Sequence, residues 1–294
     1  MVSMNDNPNT FFPLAGVSVV SFEGADTVSF LQGQLSADVA QLPADEWRRA
    51  AYCSPKGRAL ATMFLLRRGD GVVALMSSDL AEQTAAALKR FVLRAKVNIT
   101  LPECAVEYSP AHDDSSPSTV ESGAVKEEGE SLLIDEGGGM FLRVCFNSPP
   151  QPAEDGGATW RRMQIQRGVP WINTSNTGMF IPQYFNWELL GGINFQKGCY
   201  VGQEIIARLH YLGNIKRRGY VISGAGSPPA AGVKIGSAET VNAEADDSDG
   251  FVAFVSAPRD IGESVEWEGR TINIKEPSYG LPTAEEDNKP RPKV

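Results

Sequence analysis

Gly198-Cys199-Tyr200-Val201-Gly202 sets a thiol between two glycines, directly ahead of Gln203-Glu204-Ile205-Ile206-Ala207-Arg208, a run of helix-forming residues. A cysteine placed just before a helix start has a chemical use, because unpaired N–H groups and the helix dipole stabilise the thiolate. An ordinary thiol with a pKa of about 8.5 is only ~3% ionised at neutral pH, whereas helix-terminal cysteines fall to between about 3.5 and 7.5. Lys197 and Arg208 push the same way, and the glycines permit close approach of backbone to a ligand or a positive φ at a sharp turn. The plainer alternative is a small buried apolar residue. That alternative is the stronger one for Cys53, Cys104 and Cys145, each within or beside an apolar run. Cys53 also adjoins Ser54-Pro55-Lys56-Gly57-Arg58, a turn whose Lys56 and Arg58 make a second conspicuous patch.

Apolar periodicity predicts the elements that carry these patches. Val17 to Phe22 reads as a strand, and Asp26 is placed to cap a helix with Val28, Phe30 and Leu31 that ends at Gly33. Trp47 to Cys53 and Ala59 to Arg68 form a hairpin with the Ser54–Arg58 turn at its tip, followed by a strand from Val72 to Ser77. Asp79 and Glu82 then open a helix whose Leu80, Thr84, Leu88, Phe91 and Ala95 share one face. Residues 111–130, rich in Ser, Pro, Glu and Gly, read as a mobile acidic loop. Ser131 to Asp135 and Met140 to Phe146 form another hairpin, and a helix runs from about Thr159 to Gly168. Past Gly213 short alternating runs predict a small antiparallel barrel over 214–280, and the charged 281–294 tail reads as disordered.

With 294 residues and 42% apolar side chains, the chain can pack two or three domains. No window reaches the roughly 18 apolar residues needed to span a bilayer, and the start lacks the basic and apolar stretches of a secretory signal, so a cytoplasmic protein without membrane contact is expected. Four cysteines without a CxxC pair and two histidines, His112 and His210, argue against a disulfide framework and against a metal site. The net charge of -9 opposes bulk polyanion binding. Yet residues 48–96 carry ten Lys/Arg against three acids, while 110–155 carry ten acids against two bases, so an anionic ligand could meet a local positive field.

KGCYVGQE at 197–204 resembles the motif of the YgfZ family, folate-binding proteins related to the aminomethyltransferase (T-protein) of glycine cleavage. FIPQ at 180–183, NWELLGG at 186–192, ARLHYLG at 207–213 and KRR at 216–218 are similar to that family's pattern. So are FLQGQLSADV at 30–39, CSPKGRALA at 53–61 and VLRAKV at 92–97. The resemblance implies an α+β protein. Two interleaved α+β domains (1–110 and 131–213) would form an aminomethyltransferase-like ring, with a C-terminal antiparallel β-barrel beside it. It implies tetrahydrofolate, or a derivative, as ligand, and iron–sulfur client or assembly proteins as partners, including enzymes that modify tRNA.

Carried over residue by residue, Cys199 is the reactive group, and Lys197, Gly198, Gly202, Gln203 and Glu204 belong to its motif. In the folate-binding role Gln203 and Glu204 would read the pterin edge, and Tyr200, Phe185, Trp187 or Tyr211 would stack on the rings. Lys56 or Arg58 would neutralise the glutamate tail. The pterin-reading glutamate of true aminomethyltransferases aligns with Gln164–Gly168, which here holds no acid, and no position matches their general-base aspartate. The rival readings are a folate-dependent one-carbon (aminomethyl) transferase and an RNA-binding module on Lys216-Arg217-Arg218 and the basic N-terminal segment, which would bring direct tRNA contact.

Overall fold

The computed structural model describes residues 10–110, 123–154, 157–213 and 215–288. In chain order its N-terminal part holds β1 (Phe12–Pro13), β2 (Val17–Glu23), α1 (Thr27–Gln32), β3 (Trp47–Cys53) and β4 (Ala59–Arg68). Then come β5 (Gly71–Ser77), α2 (Ser78–Lys89), β6 (Asn98–Thr100) and β7 (Cys104–Ser109). The middle adds β8 (Val125–Glu128), β9 (Ser131–Gly137), β10 (Met140–Phe146), α3 (Ala158–Gln166), a 3₁₀ turn at Pro182–Phe185 and α4 (Gln203–Leu212). The last part is β11 (Arg217–Ala225), β12 (Lys234–Ile235), β13 (Ala238–Ala245), β14 (Gly250–Pro258), β15 (Ser264–Trp267), β16 (Arg270–Lys275) and α5 (Ala284–Asn288).

These strands make three antiparallel sheets, ordered β3-β4-β5-β2-β6, β1-β7-β10-β9-β8 and β12-β13-β14-β11-β16-β15. The first sheet is apolar on both faces, and the two-residue strand period sorts its side chains between two cores. Val20, Phe22, Met63, Leu65, Ala74 and Met76 face the core shared with α1, α2 and α4. Val17, Val19, Phe64, Leu66, Val73 and Leu75 face the core shared with the second sheet and with Trp160 and Trp171. A strand buried on both faces loses the polar alternation of a surface strand, which is why GVVALMS reads as one apolar run. The third sheet has its own core around Tyr220, Ile222, Phe251, Val255 and Ile272. It curls nearly shut: a Cβ on Gly236, just past β12, would lie 2.4 Å from Cγ2 of Val265 on β15. An α+β chain with a barrel-like C-terminal sheet is therefore what the sequence forms. Among the described residues no helix is long and apolar enough to cross a membrane.

Three local expectations need correction. Part of the stretch expected to be a mobile loop is strand β8, with Val125 opposite Ile134 and Glu128 opposite Ser131. Its single apolar residue leaves no period to read, but edge pairing needs only backbone groups. Residues 111–122, the rest of that loop, lie outside the described residues. The tail expected to be disordered contains α5, fixed because buried Asp287 accepts hydrogen bonds from Arg218. Residues 289–294 lie outside the described residues. Finally, α2 stops at Lys89, so Phe91 and Ala95 sit beyond it rather than on its face.

Candidate functional site

The hairpin tip and the thiol turn, about 145 residues apart in sequence, are packed against each other. The tip closes on itself through Gly57 N to Ser54 O at 2.8 Å and Ser54 N to Arg58 O at 2.8 Å. Gly57 has φ +70°, and a Cβ there would meet Ile205 Cβ at 2.8 Å. Gly202 has φ +82°, and a Cβ there would lie 2.4 Å from the Ser54 carbonyl oxygen and 3.1 Å from Gly57 Cα. Both glycines are thus required twice over, for a left-handed backbone and for chain-to-chain contact. Gly202 also caps α4, so the turn of Cys199 reaches the helix through Tyr200, Val201 and Gly202.

Solvent sees Cys199, Gly198, Glu204, Lys56 and Arg58, all exposed, and Gln203, half-buried at the first position of α4. A Cβ at Gly198 would touch nothing within 4 Å, so that glycine leaves open space beside the thiol. Arg58 is not free of the protein: its guanidinium donates to the Met179 carbonyl and ties the hairpin to the segment before the 3₁₀ turn. Of the four thiols, only Cys199 is exposed; Cys145 is half-buried, and Cys53 and Cys104 are buried. Burial pushes the Cys53 thiol up to about 12 and that of Cys104 to about 11, which silences both at neutral pH.

Two residues assigned to the folate turn inward. Lys197 is 7% exposed, and its ammonium donates to the Gln32 and Leu35 carbonyls at 2.5 and 2.6 Å. These oxygens at the end of α1 lack helical partners, so a buried cation satisfies them. It sits over the Tyr200 ring, 4.9 Å from the centroid, and burial lowers its pKa to about 8. Trp187 is fully buried against Phe185, whose ring is 5.8 Å away. A Cβ on Gly192 would lie 2.2 Å from the Trp187 indole nitrogen. Both are framework residues that place the motif. Phe185, fully buried, is likewise core, and Tyr200 is 7% exposed.

KRR at 216–218 is not a phosphate-binding face. Arg218 is fully buried and paired with Glu188 and Asp287, both nearly inaccessible, and Arg259 reaches Asp287 at 2.9 Å. Arg217 donates to the Ser237 carbonyl at 3.1 Å. Only Lys216 of the three is exposed. Within this run the RNA reading loses two of its three cations, because Arg218 holds α5 and the NWELLGG segment to β11 and Arg217 is bonded to the barrel backbone; the basic N-terminal segment is not affected.

Sequence reasoning missed two features. The first is a cavity of about 490 Å³ where the 30–39 segment, the 191–196 loop and the end of α4 meet. Asp38, Arg48, Phe195, His210 and Tyr211 are among its walls. Phe195 and His210 stack with centroids 3.5 Å apart at 11°, and the Tyr211 hydroxyl donates to the Phe195 carbonyl at 3.1 Å. The signal was present in two motifs, but nothing in a sequence shows that their ends converge. The second is a buried carboxylate, Glu136 on β9, which accepts from Gln164 Nε2 at 2.8 Å and Trp160 Nε1 at 3.0 Å. Burial raises its pKa against the pull of Arg167 and Arg49. The acid-free Gln164–Gly168 segment, at the end of α3, is therefore met by an acid from β9. Among the described residues no three His, Cys, Asp or Glu side chains gather as a metal site.

No protein-family model matches the chain. In fold it is aminomethyltransferase-like: the solved glycine cleavage system aminomethyltransferase T of Bartonella henselae aligns with a TM-score of 0.66, covering 96% of this chain and 87% of that one at 12% identity. Sequence narrows the class. The tRNA-modifying protein YgfZ of Sodalis glossinidius (strain morsitans) is 33% identical over 245 residues, 76% of this chain and 75% of its own length. The tRNA-modifying protein YgfZ of Escherichia coli O157:H7 is 32% identical with the same coverage. The chain belongs to the YgfZ family.

Proposed function

We propose that this chain is a folate-binding accessory protein of the cytoplasm that supports assembly or repair of iron–sulfur enzymes, including tRNA-modifying ones, with Cys199 as its reactive group. The observation that carries this reading is the packing of Gly57 against Gly202, which sets the Lys56 and Arg58 cations beside the turn of the one exposed thiol. The relatives' name supplies the tRNA context, and the fold is that of an aminomethyltransferase.

The residues present suit tetrahydrofolate, which when bound supplies a carrier for one-carbon units. Exposed Lys56 and Arg58 match carboxylates of a glutamate tail. The Gln203 amide offers one donor and one acceptor edge, and the Glu204 carboxylate accepts paired N–H groups. Gly198 and Gly202 hold side-chain bulk away from the thiol. Lys197 positions the motif by clamping it to the end of α1. A second seat for the flat rings, away from Gln203 and Glu204, is the cavity at the other end of α4, with stacked Phe195 and His210 and the Asp38 carboxylate beside them.

Calorimetry with tetrahydrofolate tests the binding half. Arg58→Ala should weaken binding by about 1–3 kcal/mol. Asp38→Ala should weaken it comparably if the rings occupy the cavity, and loss confined to Arg58→Ala puts the whole ligand at the hairpin. Complementation tests the other half: in Escherichia coli cells lacking their own YgfZ, the chain should restore iron–sulfur enzyme activity and the Cys199→Ala chain should not. Full rescue by Cys199→Ala contradicts the reading. Stoichiometric methylene-tetrahydrofolate formed from an amine would instead establish the transferase.

A further inference from the structure

The last residue of α2 and the loop after it, Lys89-Arg90-Phe91-Val92-Leu93-Arg94-Ala95-Lys96, show water two large apolar side chains among cations. Leu93 is 87% exposed and Phe91 49% exposed. Lys89, Arg90, Arg94 and Lys96 are exposed too, and no acid lies among the eight residues. Four cations in eight residues contrast with 27 in the 294 of a chain whose net charge is -9, so this is a local positive field on an acidic protein.

The display is fixed in place. Phe91 N donates to Leu88 O at 2.9 Å, Val92 N to Lys89 O at 3.1 Å and Leu93 N to Phe91 O at 3.0 Å. At the far end Lys96 N donates to Asp26 Oδ2 at 2.7 Å, and a Cβ on Gly24 would lie 2.1 Å from Lys96 O. Val92, Ala95 and Val97 turn inward onto the main core, which leaves Phe91 and Leu93 outward. The fold thus holds two apolar side chains in water on a braced loop, and bracing lowers the ordering cost of meeting a partner.

We propose that the 89–96 loop docks an acidic protein bearing an apolar pocket, which Phe91 and Leu93 fill while the four cations meet its carboxylates. Nucleic acid is the poorer match, because bases stack on aromatic faces and Leu93, the more exposed of the two, has none. The proposal goes beyond the folate reading and stands without it.

Replacing Leu93→p-benzoylphenylalanine in the full chain and irradiating cells tests it, with Lys234→p-benzoylphenylalanine on the exposed barrel edge as control. A protein adduct specific to position 93, mapped by mass spectrometry to a surface rich in Asp and Glu, supports the proposal. Its yield should drop at least about fivefold in an Arg90→Glu/Arg94→Glu background, as expected when rim charges guide encounter. A ribonuclease-sensitive adduct, an adduct with a second copy of the chain, a yield unmoved by charge reversal, or no adduct above the control overturns it. Thermal midpoints confirm folding, and Phe91→p-benzoylphenylalanine serves if the first variant does not fold.

Discussion

KGCYVGQE at 197–204 and KRR at 216–218 lie at the two ends of α4, each an ordered set of charged residues, yet the fold uses them oppositely. The first presents Cys199 and Glu204 to water and packs its second glycine on the Ser54–Arg58 tip. The second sends Arg218 into the interior, where it meets Glu188 and Asp287. Even within the first, Lys197 turns inward while Cys199, two residues on, faces out. A charged residue type announces a strong interaction, but not whether the partner is a ligand or the protein's own backbone. The difference teaches that glycines are the better guide here: Gly198, beside open space, marks an approach from solvent, and Gly192, jammed against Trp187, marks packing.

The contrast can be broken most forcefully at Arg218. Arg218→Ala leaves Glu188 buried without its cation and Asp287 with Arg259 alone, and should cost about 3–5 kcal/mol in urea unfolding. A cost below about 1 kcal/mol would make that cluster no more than a surface pair. Gly202→Ala should follow, at about 2–4 kcal/mol, since it forces φ +82° on a β-carbon 2.4 Å from the Ser54 carbonyl. It should also separate the tip from the thiol turn and weaken tetrahydrofolate binding, whereas Gly198→Ala, next to open space, should leave stability unchanged.

Lys197 sharpens the comparison through pH. Burial lowers its pKa from the ordinary 10.5 to about 8, so between these values the unfolded chain holds a proton that the folded chain has released. Stability should therefore rise with pH across that window relative to Lys197→Met, by a difference on the order of 1–3 kcal/mol. The neutral amine keeps two N–H donors, enough for both carbonyls. Denaturant midpoints from pH 7.5 to about 10.5 check this, and a flat difference would show Lys197 exposed in solution. Cys199 joins Gly198 at the small end: an exposed thiol truncated to alanine should shift stability by no more than about 0.5 kcal/mol.

Much of the fold was legible because its signals are local. Trp47–Cys53 and Ala59–Arg68 are strands joined at a Pro-Lys-Gly tip, and the barrel strands β11, β14, β15 and β16 lie where alternation places them. What was illegible depended on distant partners. Val125–Glu128 is a strand only because β9 is beside it, and Asp287 is ordered only because Arg218 awaits it. The site divides the same way. The exposure of Cys199 and the Gly57–Gly202 contact agree with motifs that stand out in the sequence. By contrast, the inward turn of Lys197 and Trp187 follows from carbonyls and a glycine that only the folded chain brings near.

The central claim, that Cys199 is a working thiol beside a folate, is tested most directly by iodoacetamide labelling at neutral pH with mass-spectrometric readout of all four cysteines. Cys199 should label first, half-buried Cys145 more slowly, and Cys53 and Cys104 least, and saturating tetrahydrofolate should slow Cys199 alone. Labelling of Cys199 no faster than that of Cys145, or a rate that tetrahydrofolate does not change, would contradict the account.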